Sequence, residues 1–144
     1  MTRLKPFEYP DDGPPADLTI ESRGSTLAEA FSNLALGAFN AMTPLEDIEE
    51  REERTVEVSS EDLGGLLYDF LDQLIFVHDT ELLVFSQIVV HLDEKNFELR
   101  AECHGEPFDP KRHKSGIVVK AVTFHQMKIE KNEKGWHLRV VFDT

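Results

Sequence analysis

The carboxylates near the two ends of the sequence carry its clearest chemical signal. Asp143 and Thr144 follow the apolar run Val140-Val141-Phe142, so a side-chain carboxylate lies beside the carbonyl or carboxylate of Thr144. Hard anionic oxygens fixed at a strand end suit a hard cation, and calcium gathers about six to eight oxygens without needing histidine or cysteine. More oxygens are at hand in Asp11-Asp12-Gly13-Pro14-Pro15-Ala16-Asp17, ahead of the first expected strand. Asp17, Asp143 and Thr144 can begin such a shell if the first and last strands are neighbours, with Asp12 as a fourth member. Clustered carboxylates repel when empty, so a cation would also knit the two segments together. The plain alternative is a frayed end that happens to carry an acid.

The six histidines offer a second chemistry. His104 and His113 bracket Gly105-Glu106-Pro107-Phe108-Asp109, and His125 follows Phe124. If His104, Asp109, His113 and His125 converged, the chain would read as a small metal-dependent hydrolase; no short histidine pair spacing of the His-Glu-x-x-His kind links them. His78 falls at a helix end, where a cation suits the dipole. Nucleophilic catalysis has less support. Phe97, Leu99, Ala101 and Cys103 alternate with Glu98, Arg100 and Glu102, so Cys103 is expected inward, as a small hydrophobe rather than a thiolate. There is no Gly-x-Ser-x-Gly elbow. Lys120, set among Val118, Val122 and Phe124, reads as solvent-facing.

These residues need a frame. Leu18 and Ile20 alternate with Thr19 and Glu21 in a short strand that Gly24 ends. Thr26-Leu27-Ala28-Glu29 is a capping-box pattern, in which Glu29 reaches back to a free N–H. Apolar residues from Leu27 to Met42 then recur at helical spacing until Thr43-Pro44 stops them. Thr55 to Val58 alternates as a second strand. Ser59-Ser60-Glu61-Asp62 opens a second helix with the stripe Leu63, Leu66, Leu67, Phe70, Leu71 and Leu74. Gly64 and Gly65 near its start read as close packing rather than a phosphate loop, since no Gly-Lys-Ser/Thr follows.

Beyond this point the sequence predicts strands only. They run from Leu83 to Leu92, from Phe97 to Cys103, as one long strand from Ile117 to Glu130, and from Trp136 to Phe142. Turns are expected at Asp93-Glu94-Lys95-Asn96 and Asn132-Glu133-Lys134-Gly135. The order β-α-β-α-β-β-β-β implies an α+β fold, with two helices packed on mainly antiparallel β-sheet.

Composition narrows the function. The length of 144 residues suits one domain, 1–144. A formal net charge of −13, from 28 acidic and 15 basic residues, argues against direct tight binding of nucleic acid. The basic cluster Lys111-Arg112-His113-Lys114 reads as a solvated loop. An acidic surface suits docking on a basic protein or holding a cation, and a generic acidic binding module is one form of that reading. No apolar run approaches the ~18 residues of a membrane span, and no signal peptide opens the chain. The single cysteine excludes an internal disulfide, so a cytoplasmic location is expected.

Several stretches, taken in order, resemble the archease family over nearly the whole chain. They are Phe7-Glu8-Tyr9 with Ala16-Asp17, Thr26 to Phe31, Ala41-Met42-Thr43 and Leu66 to Asp72. The more specific ones are Gly105-Glu106-Pro107-Phe108-Asp109-Pro110, Val119 to His125 and the closing Val141-Phe142-Asp143. The resemblance implies a non-catalytic helper of the RtcB-type RNA ligase, which joins tRNA halves during splicing. It also implies that such a helper promotes ligase guanylylation and turnover, can broaden nucleotide use, and holds calcium through Asp17, Asp143 and Thr144. The family's opening reads aspartate, histidine, threonine, alanine, aspartate. Here the segment is longer and lacks the histidine, so its earlier aspartate corresponds to Asp11 or Asp12.

Overall fold

Alternating residues on two distant segments build the strand pair that organises the molecule, a computed structural model describing residues 5–144. Residues 1–4, on which the reading of the chain's opening partly rests, lie outside the described residues. The elements are β1 (Phe7–Glu8), β2 (Leu18–Gly24), α1 (Leu27–Met42), β3 (Glu52–Ser59), α2 (Leu63–Glu81), β4 (Leu83–Asp93), β5 (Glu98–Pro107), β6 (Ala121–Val122), β7 (Lys128–Asn132) and β8 (Gly135–Asp143). A 3-10 turn at Leu45–Asp47 follows α1. The α+β class and the element order expected from the sequence hold, with the short β1 added at the start and two short strands, β6 and β7, in place of one long one.

All strand pairs are antiparallel, and they form two sheets. In the first, β8 pairs along its length with β2 on one side and with β7 and then β6 on the other, while β1 flanks β2. In the second, β5 lies between β3 and β4. Helix α1 packs against β2 and β8 of one sheet and β4 of the other, which explains its wide apolar surface. Phe31, Leu34, Ala35 and Phe39 are all buried there, more than one sheet's worth of contact. Helix α2 packs on β3 with Leu66, Leu67, Phe70 and Leu71 inward.

Both helix starts form as their residues dictate. Thr26 Oγ1 accepts the Glu29 N–H at 3.1 Å, and Asp62 Oδ1 accepts the Gly65 N–H at 2.7 Å. Glu29 takes a different partner from the one expected: its carboxylate accepts the Ser25 hydroxyl at 3.0 Å. Of the two glycines in the first turn of α2, only Gly65 is crowded. A Cβ on Gly65 would stand 2.5 Å from Ser60 Oγ, whereas one on Gly64 would meet nothing closer than 3.7 Å.

The long strand expected from Ile117 to Glu130 is corrected. Only Ala121–Val122 and Lys128–Asn132 pair, separated by a turn at His125–Gln126. The segment before them serves α1 instead. Gly116 and Ile117 donate their N–H groups to the carbonyls of Met42 and Ala41, which the helix end leaves free. Thus β-prone residues are spent on closing a helix, not on extending a sheet.

Candidate functional site

The register of β2 on β8 decides what stands at the strand end. Leu18 lies opposite Phe142, so Asp17 and Asp143 leave the ladder together, one residue further out. The Thr144 hydroxyl donates to the Ala16 carbonyl at 2.9 Å. The Asp17 N–H donates to the Pro14 carbonyl at 3.2 Å, folding the approach into a turn, and the Lys120 N–H donates to the Asp143 carbonyl at 2.9 Å. Asp17 is half-buried, while Asp143 and Thr144 are exposed. The neighbouring of first and last strands, on which the expected shell depended, is present.

The remaining candidate, Asp12, is otherwise engaged. Its carboxylate meets Arg139 Nη1 at 3.1 Å. Arg139 lies directly opposite Glu21 in the ladder and pairs with it at 3.0 Å; its other amino group reaches Gln126 Oε1 at 3.2 Å. Burial works against the Arg139 charge, but the hydrogen bonds to Asp12 and Glu21 outweigh it and raise its pKa above the ordinary value. His137 meets the other oxygen of Glu21 at 3.2 Å. With Asp12 held here, the strand end offers the carboxylates of Asp17 and Asp143 and the oxygens of Thr144. That all-oxygen donor chemistry fits a hard cation such as calcium.

Between these two clusters lies Thr19, on the same face by alternation and opposite Val141. Its hydroxyl is buried and has no hydrogen-bond partner among the described residues. Gly13 sits directly over it, so close that a Cβ would come within 2.0 Å of the Thr19 oxygen. The opening segment therefore lies across this face of the sheet, and a glycine is what permits the approach.

The histidine candidates do not converge. His113 is fully buried: its Nδ1 accepts the Asp109 N–H at 2.8 Å, which leaves Nε2–H to donate to Glu106 Oε2 at 3.0 Å. Both nitrogens are used in structure. Glu106, with 1% of its side chain exposed, also accepts the Glu49 N–H at 2.7 Å and pairs with Arg112. Burial alone would push its carboxyl up. The bonds from Glu49, His113 and Arg112 prevail, so the pKa falls below the ordinary value. The basic cluster is thus only partly a solvated loop, since His113 and Arg112 anchor it.

His125 lies in the exposed turn between β6 and β7, and His104 on the outer face of the second sheet. His78, in the last turn of α2, bonds the Leu83 carbonyl at 2.9 Å, which ties the helix end to the start of β4. Cys103 is buried, and its thiol is pushed up to about 12 by that burial, so it is no nucleophile. Lys120 is exposed, as expected.

Sequence reading passed over Arg139 and Glu21. The available signal was their alternation with apolar neighbours on two strands: charges of opposite sign on the outward side of each. What the single sequence lacked was the register that sets them opposite each other.

Two antiparallel sheets about a shared helix, with an oxygen-rich end on the strand pair, define an α+β protein. Comparison with known proteins sharpens that class. The archease protein family matches residues 7–144. The protein archease of Sulfurisphaera tokodaii is 41% identical over 99% of both chains, and that of Pyrococcus abyssi is 42% identical over the same shares. The solution structure of Methanobacterium thermoautotrophicum protein 1598 is 41% identical, has a TM-score of 0.83, and is matched over 98% of this chain and 100% of its own. The crystal structure of an archease from Thermotoga maritima, described as a possible chaperone, is 21% identical with a TM-score of 0.57 and shares the fold. The chain belongs to the archease family.

Proposed function

We propose that this protein is a non-catalytic activator of an RtcB-type tRNA-splicing RNA ligase. It promotes guanylylation and turnover of the ligase and broadens its nucleotide use, working in the cytoplasm as one domain, 1–144. One observation supports this reading above the others: in a chain of this family, the β2–β8 register sets Asp17 level with Asp143 and Thr144.

In this reading Asp17, Asp143 and Thr144 hold calcium, with Asp12, which meets Arg139 through one of its oxygens, as a fourth member. Bound there, the ion would supply positive charge that relieves carboxylate repulsion. The chain's own residues do the rest. Arg139 fixes the opening segment, Thr144 ties the closing strand to Ala16, and the acidic surface is drawn to a ligase basic enough to hold RNA. Partner binding is through protein; tight direct binding of nucleic acid or membrane forms no part of it.

The test is ligase guanylylation followed with and without this protein, beside Asp17→Ala and Asp143→Ala variants. Wild type should stimulate and both variants should stimulate less. Absence of stimulation by folded wild type would sink the activator reading.

A further inference from the structure

The outer face of the second sheet carries a group of side chains that the activator role leaves unused. Glu53 on β3 is the direct partner of His104 on β5, and Glu102 precedes His104 by two residues on the same face of that strand. One ligand atom from each lies within 4.8 Å of the other two. We propose that Glu53, Glu102 and His104 form a binding site for a divalent transition-metal ion of the zinc class. The proposal is independent of the ligase and of the strand end in the other sheet.

The donor types favour such an ion. An imidazole with two carboxylates is a poor match for calcium, which wants oxygen alone, and a good match for zinc and its neighbours. Tetrahedral bonds of about 2.0–2.2 Å put two ligand atoms roughly 3.3–3.6 Å apart, so closure draws the three atoms together by up to about 1.5 Å. Glutamate side chains can make that movement.

Two of the three side chains are uncommitted. The His104 imidazole and the Glu53 carboxylate make no hydrogen bond or ion pair among the described residues. Glu102 is already steadied through its Oε1, by Arg100 at 3.3 Å and His91 at 3.4 Å. Such outer partners orient ligating carboxylates in metal sites.

The frame is stiff. β5 is the middle strand of its sheet, so two of the ligands sit on backbone paired from both sides. On its other flank β4 is bulged between Phe85 and Gln87, opposite Gly105 and His104. Bulges re-aim side chains and are over-represented beside functional sites. Three protein ligands leave at least one position for water or for a group from another molecule.

The experiment is calorimetric titration of the full chain with zinc chloride, in the presence of excess calcium to occupy any site that prefers it. Wild type should bind one equivalent saturably. His104→Ala, Glu53→Gln and Glu102→Gln should each weaken binding by no less than the roughly 10–100-fold that losing an outer partner costs. Asp143→Ala and His125→Ala should bind as wild type does. Cobalt in place of zinc should give an absorption spectrum that His104→Ala abolishes. All the replaced side chains are half-buried or exposed, and metal-free thermal melts verify that each variant is folded. No saturable equivalent in wild type, or unchanged affinity in His104→Ala (an adventitious ion only), would overturn the proposal.

Discussion

Arg139 and Asp12, 127 residues apart in sequence, meet at 3.1 Å and tie the opening segment across the outer face of the first sheet. The guanidinium serves two acids of unequal exposure. Asp12 has 72% of its side chain exposed, while Glu21 has 14% and lies beneath. The buried partner dominates the energetics, because a carboxylate left unpaired there cannot regain its hydration.

Arg139→Met should therefore destabilise the fold by about 3 kcal/mol. Asp12→Ala should cost less than about 1 kcal/mol, the range of an exposed ion pair. Urea denaturation of both variants measures the contrast. Equal losses would mean that Glu21 gains little from Arg139.

Calcium should stabilise the protein through the strand end. At a concentration about 100 times its dissociation constant, one specific ion adds roughly 2.7 kcal/mol. The melting temperature should rise with calcium in wild type and not in Asp143→Ala. An unchanged melting temperature at saturating calcium would remove Asp17, Asp143 and Thr144 as ligands.

The Glu106 clamp gives stability a defined acid limb. Its folded pKa lies below the ordinary 4.5, so the unfolded chain binds the proton more readily. The contribution is complete above 4.5 and is lost as the pH falls through the lowered folded value. Glu106→Gln should be less stable than wild type at neutral pH, and the gap should narrow on acidification. Urea midpoints across a pH series report it; a constant gap would assign the effect to packing.

Cys103 should resist thiol reagents in the native state at pH 8 and react promptly in urea. Burial has pushed its thiol up to about 12, leaving almost no thiolate. Native labelling as fast as unfolded labelling would place the residue at the surface.

The parts of the fold that sequence disclosed are those governed by local chemistry. Thr26 and Asp62 announce helix starts because their side chains cap the N–H groups of Glu29 and Gly65, and Thr43-Pro44 ends α1. Cys103 was legible inside through strict alternation along β5. The failures are non-local. Ile117 and its neighbours look like strand because their β-propensity says nothing about a distant helix end that needs donors. The aspartates at the strand end were visible as chemistry, whereas Arg139 beneath Asp12, and Glu53 opposite His104, depend on registers between segments far apart in sequence.

The β2–β8 pairing also sets a timetable for synthesis. β2 is made long before its ladder partner β8, which follows both helices and the second sheet in the chain. The second sheet and both helices can assemble first, while Leu18 and Ile20 wait without the strand that will cover their backbone. Pairing over so long a stretch of chain is slow and leaves an open strand edge exposed meanwhile. A nascent chain stalled before residue 135 should leave the β8 edge of β2 open, and the protein's vulnerability to aggregation should be concentrated in that interval.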